Sequence, residues 1–181
     1  MGSHSTPERH IILCDKSGSM MLYNQETESC VGAIMTRIED SAVFNVAIVR
    51  DSGTVSLSPR LIPKLGIKTS HCEQFFAENF RCGGDGMLEG IAWAIGQRPD
   101  HLWILSDGDV ADIPEINRLL SSALTAKPFR VSIVQLGPTK GADAEWKAMA
   151  DRFGGLMDSP GKEELRLPAP VLPRRSQQDR N

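Results

Sequence analysis

The feature that most constrains the fold is the alternation of short, β-branched apolar runs with segments of helical periodicity. Four runs are typical of buried strands, at residues 10–14, 43–50, 101–105 and 129–137. Helical patterns occur at residues 27–39, 70–80, 87–95, 113–124 and 143–154. Strands joined by helices predict right-handed crossovers and a mainly parallel sheet covered on both faces. The sequence therefore predicts a doubly wound α/β fold with helices on both faces of the sheet.

Two further short strands are predicted at the borders of this sheet. The turn residues "DSG" at 51–53 follow the second run, and "TVSLS" at 54–58 reads as the returning strand of a hairpin. The segment "GLMDS" at 155–159 is compatible with a short last strand. We therefore expect one antiparallel edge hairpin on an otherwise parallel sheet.

The domain limits follow from where these patterns start and stop. Residues 1–8 are polar, and beyond Lys162 the chain is rich in proline and has no periodicity. Such a composition is typical of an extended or disordered segment. We predict a polar N-terminal tail over 1–8, one domain over 9–161 and a disordered, Pro-rich tail over 162–181.

Composition argues against several classes of partner. The 181 residues carry a net charge of −3, and the only basic pair, Arg174 and Arg175, lies in the polar tail, so no nucleic-acid surface is predicted. No apolar stretch approaches the roughly 20 residues that span a bilayer. The start of the chain does not resemble a signal peptide, and none of the four cysteines forms a C-x-x-C pair. A cytoplasmic location is therefore expected.

Oxygen-bearing side chains follow the predicted strands. The first loop holds Asp15, Ser17 and Ser19, the second holds Asp85, and the third holds Ser106, Asp107 and Asp109. Ligands of open α/β sheets bind beyond the carboxyl ends of the strands, so these loops are expected to meet at one edge. Carboxylates crowded together repel one another unless a cation joins them, and hard oxygens suit Mg²⁺, Mn²⁺ or Ca²⁺ rather than zinc.

Three segments carry a resemblance to one family. "CDKSGSM" at 14–20 resembles the D-x-S-x-S signature of von Willebrand factor type A (vWA) domains. "GGDGMLEGIAWAI" at 83–95 resembles the Gly-Gly-Thr loop and following helix of that family, and "LWILSDGD" at 102–109 resembles its apolar strand ending in Thr/Ser-Asp-Gly. The order also agrees, and the resemblance covers roughly residues 9–158. Three segments in the right order are a far stronger signal than one short motif.

This resemblance implies a Rossmann-like vWA fold with a metal-ion-dependent adhesion site (MIDAS). Asp15, Ser17, Ser19 and Asp107 match its motif residues. In that family the hydroxyls bind a divalent cation directly, and some carboxylates act through water. The cation keeps one open position, which an acidic side chain of a partner protein fills. The resemblance therefore implies a non-enzymatic, cation-dependent protein-binding module, with Mg²⁺, or Mn²⁺ or Ca²⁺, as its ion.

Asp85 departs from the family pattern, because that position usually carries a threonine. The extra carboxylate would neutralise the cation further and weaken its attraction for an external acid. Alternatively, Asp85 could fill the open position itself, which would give a scaffold with a closed, structural metal site. A third alternative within the vWA fold is a site that holds no metal.

Two other interpretations compete with the metal site. Ser17 and Gly18 are also ordinary turn residues, and Asp15 could simply cap the element that follows it. An Asp at a strand end also resembles Mg²⁺-dependent phosphatases of the haloacid-dehalogenase type. That chemistry needs a second acid two residues later, to protonate the leaving group, and this chain has Ser17 there. We therefore do not expect phosphatase activity.

The departure at Asp85 gives a testable prediction. Replacing it by threonine, Asp85→Thr, removes one of three carboxylates around the ion, so Mg²⁺ binding should weaken. Acetate, used as a mimic of an acidic ligand at saturating Mg²⁺, should bind more tightly to the more electrophilic ion. Isothermal titration of both proteins, first with Mg²⁺ and then with acetate, measures the two effects. An unchanged Mg²⁺ affinity would reduce Asp85 to a residue that caps the following helix.

Overall fold

The computed structural model describes residues 6–50, 53–79, 81–84, 86–110, 112–137 and 143–158. Its strands are β1 (Arg9–Asp15), β2 (Val43–Arg50), β3 (Gly53–Ser56), β4 (Ile62–Pro63), β5 (His101–Ser106), β6 (Arg130–Gln135) and β7 (Met157–Asp158). Its helices are α1 (Asn24–Arg37), α2 (Thr69–Glu78), α3 (Met87–Gly96), α4 (Ile113–Ala126) and α5 (Asp143–Arg152), with a 3-10 helix at Gly18–Tyr23.

The strands form one mixed sheet. Its order is β3-β2-β1-β5-β6-β7, and β4 pairs with β2 beside β3. Neighbours from β2 through β1, β5 and β6 to β7 are parallel, whereas β3 and β4 run antiparallel to β2. The predicted α/β class, with a mainly parallel sheet and one antiparallel hairpin at its edge, is confirmed.

Each face of the sheet carries its own apolar cluster. One cluster joins alternate strand residues such as Ile12 and Phe44 to Val31 and Ile34 of α1 and to Phe76 of α2. The other cluster joins the opposite strand residues to α3, α4 and α5, with Trp146 completely buried. Strands β1, β2, β5 and β6 are buried on both faces, which explains why the sequence shows continuous apolar runs there rather than strict alternation.

The structure differs from the sequence prediction at several boundaries. Strand β4 was not predicted, because two residues that include Pro63 give too weak a pattern and proline is confined to sheet edges. Helix α1 begins at Asn24 rather than near residue 27, and a 3-10 helix precedes it. The predicted C-terminal tail over 162–181 and residues 1–5 lie outside the described residues.

Helix α3 lies unusually close to β2. A Cβ atom on Gly90 would come within 2.4 Å of Cγ2 of Val49, so no larger residue fits there without displacing the helix. A Cβ atom on Gly86, directly before α3, would come within 2.6 Å of the Arg50 carbonyl oxygen. These contacts fix the start of α3 against the carboxyl end of β2, beside the loop of β1.

Within the described ranges, no helix combines the length and the apolar character needed to cross a membrane.

Two buried histidines lie at the opposite end of the sheet. His10 is the second residue of β1 and His101 is the first residue of β5, and each is only 5% exposed. The ring of His101 stacks on Trp103 with 4.0 Å between centroids, and its Nε2 lies 2.8 Å from Ser132 Oγ. Burial, reinforced by the positive charge of Arg130, lowers the pKa of His101 to about 2. His101 is therefore neutral in the folded protein and packs against Trp103 as a structural residue.

The neutral state of His101 predicts a loss of stability in acid. Its folded pKa is depressed, whereas in the unfolded chain it titrates near 6.5, so below that pH the unfolded state binds more protons. Stability should therefore fall as the pH falls below about 6.5, at up to about 1.4 kcal/mol per pH unit for this histidine. Urea unfolding of wild type and His101→Gln at pH 7.5 and 5.5 measures this, with exposed His71→Gln as control. An equal pH response of wild type and His101→Gln would contradict the assignment.

Candidate metal centre

The parallel pairing of β1 and β5 brings two oxygen-bearing loops together. Cys14 of β1 is in register with Leu105 of β5, so the next residues, Asp15 and Ser106, end their strands side by side. Ser106 Oγ donates a hydrogen bond of 2.8 Å to Asp15 Oδ2. Asp15 is 5% exposed and Asp107 is completely buried. Two carboxylates predicted from separate parts of the sequence therefore lie at one buried edge of the sheet.

The first loop folds its hydroxyls towards each other. The Ser17 backbone N–H donates to Asp15 Oδ1 at 2.7 Å, which turns the chain sharply after β1. Ser17 Oγ and Ser19 Oγ then lie 3.1 Å apart. Met20 N–H donates to the Ser17 carbonyl at 3.1 Å and starts the 3-10 helix. The loop thus brings the hydroxyls of Ser17 and Ser19 together directly after the end of β1.

In the third loop, backbone N–H groups donate hydrogen bonds to the loop's own side chains. The Gly108 N–H donates to Ser106 Oγ at 3.1 Å, and the Asp109 N–H donates to Asp107 Oδ1 at 3.1 Å. Gly108 has φ +83°, a conformation that residues with a side chain rarely adopt. Ser106 therefore connects two loops, because its hydroxyl donates to Asp15 and accepts from Gly108.

The electrostatics of Asp15 fit a cation site. Burial raises the pKa of Asp15, hydrogen bonds from Ser17 and Ser106 oppose this, and the negative charge of Asp107 raises it further. A divalent cation between these carboxylates would favour their ionised forms. The donors in this arrangement are hard oxygens, carboxylates and hydroxyls, which fit Mg²⁺, Mn²⁺ or Ca²⁺.

Lys16 does not direct its charge towards Asp15 in this arrangement. Its side chain is 1% exposed, and Nζ donates to Asn24 Oδ1 and lies 5.5 Å from the centroid of the Phe76 ring. Cys82 Sγ also donates to Asn24 Oδ1, at 3.8 Å. The sequence analysis missed this buried cluster, and the only signal for it was a lysine directly after an apolar strand.

The backbone of Lys16 connects the second loop to the first. Its carbonyl oxygen accepts from the Gly83 N–H at 2.8 Å, and its N–H donates to the Val49 carbonyl at 2.9 Å. Gly83 and Gly84 therefore lie beside the loop that begins at Asp15. Asp85 itself lies outside the described residues. Four of the five predicted ligands are thus described, at one edge of the sheet: Asp15, Ser17, Ser19 and Asp107.

The usual metal-binding side chains do not by themselves form a metal site among the described residues. Within the described part of the chain, no group of three or more His, Cys, Asp and Glu side chains is placed to hold an ion. The arrangement depends instead on serine hydroxyls. Asp109 and Asp112 are exposed, and Asp112 occupies the N-cap position of α4 without a side-chain cap hydrogen bond. Neither residue adds a buried carboxylate to the centre.

Comparison with known proteins identifies the fold. No family model and no curated protein matches the sequence. Among solved structures, the SpRpn10 VWA domain is similar, with 13% identity, a TM-score of 0.65 and coverage of 84% of this chain and 87% of its own. The open conformation of the pilus adhesin SpaC from Lactobacillus rhamnosus GG has 10% identity, a TM-score of 0.68 and coverage of 88% and 28%. The manganese-loaded TRAP protein of Plasmodium vivax has 13% identity and a TM-score of 0.58, with coverage of 80% of this chain and 63% of its own.

These structures differ in length from this chain. The chain spans most of the SpRpn10 domain, just under two thirds of the TRAP chain and less than a third of SpaC. At identities of 10–13% the similarity concerns the fold.

Because the Ser106 hydroxyl both donates and accepts a buried hydrogen bond, its removal should lower the free energy of unfolding. In Ser106→Ala, Asp15 Oδ2 and the Gly108 N–H both lose their partner in a buried place. Stability should fall by about 1–3 kcal/mol, the usual penalty for buried polar groups left unpaired. Urea unfolding measures the change, and Ser121→Ala, which removes only the hydrogen bonds to Asn117 within α4, is the matched control. Equal effects of the two substitutions would show that the hydroxyl does not organise the loops.

Proposed function

Because the chain has the fold of von Willebrand factor type A domains, we propose that it is a protein-binding module that depends on a divalent cation. The cation would be held by Asp15, Ser17, Ser19 and Asp107, with Asp85 as a fifth ligand. Its open position would receive an acidic side chain of a partner protein. The solved structures of this fold support an interaction module in general terms, and the metal chemistry rests on the residues of this chain.

One observation carries the proposal. The bond from Ser106 to Asp15 and the 3.1 Å approach of Ser17 to Ser19 bring two buried carboxylates and two hydroxyls to one sheet edge. Such a group is costly to bury without a cation, because the charged form of each carboxylate is disfavoured by desolvation and by the other charge. A divalent ion would compensate both effects.

The hydroxyl and carboxylate ligands would have different roles at the cation. The two serine hydroxyls are neutral, so they would bind the ion without cancelling its charge, and Asp15 and Asp107 would supply two negative charges. The ion would supply Lewis acidity towards a partner's carboxylate. Among the compared structures, the TRAP protein is manganese-loaded, which supports a divalent cation in this fold. Magnesium is our first choice for this chain, with Mn²⁺ and Ca²⁺ as alternatives.

The proposed role is not enzymatic. A phosphatase that used Asp15 as nucleophile would need an acid two residues later, and Ser17 stands there with its hydroxyl beside Ser19. The role of Asp85 determines whether the metal site is open to a partner or closed. If it acts as an extra ligand, the site stays open to a partner, whereas if it occupies the open position, the metal becomes structural.

A thermal measurement tests the proposal. Millimolar Mg²⁺ should raise the melting temperature, because a ligand that binds only the folded state stabilises it by about 2.7 kcal/mol at 100 times its Kd. For a chain of this size that corresponds to several degrees. Asp15→Ala should abolish the increment. Asp151→Ala is the matched control, because Asp151 is an exposed acid in a surface ion pair with Lys147 and should keep it.

Two outcomes would contradict the proposal. The first is the absence of any shift with Mg²⁺, Mn²⁺ or Ca²⁺ in wild type. The second is an equal shift in wild type and Asp15→Ala, which would place the ion elsewhere in the chain.

A further inference from the structure

A cavity of about 180 Å³ opens between the carboxyl ends of α3 and α4. Apolar groups that line it include Ile95, Ala123 and the buried Phe129, and two basic residues, Arg98 and Lys127, also line it. An apolar cavity of about 150 Å³ is large enough to hold one benzene molecule. The cavity therefore has room for one aromatic or large aliphatic side chain.

The cavity lies at the end of the sheet opposite the candidate metal centre. Pro99 comes shortly before β5 and Phe129 directly before β6, whereas Asp15 and Asp107 lie at the other ends of their strands. Strand β5 has six residues, which at about 3.3 Å per residue separates the two places by about 20 Å. A ligand in this cavity would therefore not touch the metal centre.

The charges around the cavity leave one cation without a partner. Lys127 Nζ lies 2.7 Å from Asp100 Oδ1 and donates to the Arg98 carbonyl at 3.2 Å, so its charge is compensated. Arg9 Nε donates to the same carbonyl at 2.9 Å, and Arg9 Nη2 donates to the Gln97 carbonyl at 2.6 Å. The Arg98 guanidinium itself is exposed and forms no hydrogen bond or ion pair with another described residue. It is therefore available to an external carboxylate.

The backbone of Arg98 is strained. Within the described ranges, Arg98 is the only residue other than glycine with positive φ, +53°. It directly follows the C-cap of α3, and its N–H donates to the Ile95 carbonyl at 2.8 Å, a position that glycine usually occupies. A glycine carbonyl would accept from Arg9 and Lys127 equally well. The fold thus gives no reason for an arginine here, and strain of this kind is typical of functional sites.

We propose that the cavity and Arg98 form a second protein-binding site, for a partner segment that carries one large apolar side chain next to an acidic one. The apolar side chain fills the cavity. The carboxylate accepts hydrogen bonds from the Arg98 guanidinium, which can donate two parallel bonds to it. Neither contact involves the cation, so the inference does not depend on the proposed function.

The size of the cavity favours a protein side chain over a free small molecule. Pockets for cofactors and drug-sized ligands usually measure about 300–1,000 Å³, well above the volume found here. In protein interfaces, by contrast, single apolar anchors that fill small pockets supply much of the binding energy, and a polar rim surrounds them. The combination of one apolar cavity and one guanidinium matches that pattern.

An NMR titration of the full chain in EDTA tests the inference. The probe is the dipeptide acetyl-Phe-Glu-amide, and ¹H–¹⁵N spectra follow the amides of Arg98, Ala123 and Ala126, which line the cavity. We expect shifts that saturate with a Kd of about 1–5 mM, in the range of a small ligand with one anchor and one ion pair. Acetyl-Phe-Gln-amide, of the same size but neutral, should bind about fivefold more weakly. Acetyl-Ala-Glu-amide should cause no shifts up to about 20 mM.

Variants separate the two contacts. Arg98→Gln should weaken the acidic probe about fivefold and leave the neutral probe unchanged, because the coupling between Arg98 and the glutamate is then lost. Arg118→Gln is the matched control, since Arg118 is an exposed arginine of α4 that pairs with Glu115, and it should change neither affinity. Ala123→Leu fills the cavity and should abolish binding of both phenylalanine probes.

Arg98→Gly distinguishes a binding role from a structural one. It removes the strained side chain, so the melting temperature should rise by about 2–4 °C, while the affinity for the acidic probe falls about fivefold. A lower melting temperature would show that the arginine side chain supports the fold, and would overturn its assignment to a ligand.

Four results of the titration would overturn the inference. No shift with any probe removes the site. Equal affinities for the acidic and the neutral probe remove the role of Arg98. Shifts confined to the residues around Asp15 place the acidic probe at the metal centre. Octanoate that binds the cavity more tightly than acetyl-Phe-Glu-amide identifies a fatty acid, rather than a protein segment, as the occupant.

Discussion

The hydrogen bond from Ser106 to Asp15 is the interaction on which the whole arrangement depends. It joins the ends of two neighbouring parallel strands in a place that water does not reach. Its effect is to hold a buried carboxylate in one orientation, while the same hydroxyl accepts the Gly108 N–H and positions the loop of Asp107. This link therefore fixes the ends of β1 and β5, which carry Asp15 and Asp107, against each other.

The first loop is joined to the glycine loop and to β2 through backbone groups. The carbonyl of Lys16 accepts from Gly83, its N–H donates to Val49, and its side chain is buried against Asn24. These bonds anchor the first loop to β2 and to the glycine loop. This backbone anchoring holds the first loop without using the hydroxyls of Ser17 and Ser19, which lie 3.1 Å from each other.

Much of the fold could be predicted from the sequence, because buried parallel strands give continuous apolar runs and the helices give periodic stripes. The placement of Asp15 and Asp107 at one edge of the sheet could also be predicted, since each follows an apolar run directly, whereas the hydrogen bond between Asp15 and Ser106 was not predicted. The 3-10 helix and β4 could not be predicted, because each depends on contacts that are distant in sequence. Tyr23 shows the same limit: its ring packs on Gly137, more than a hundred residues away, and nothing near it in sequence indicates this contact.

The central claim is that oxygens at the ends of β1 and β5 hold a divalent cation, and a crystal structure with Mg²⁺ tests it most directly. The account predicts a six-coordinate ion with Ser17 Oγ and Ser19 Oγ about 2.1 Å away, the distance typical of Mg²⁺ in proteins. Asp15 and Asp107 should lie around it, directly or through water. Crystals grown in millimolar Mg²⁺ in which Ser17 and Ser19 still bond only to each other, with no ion between the loops, would contradict it.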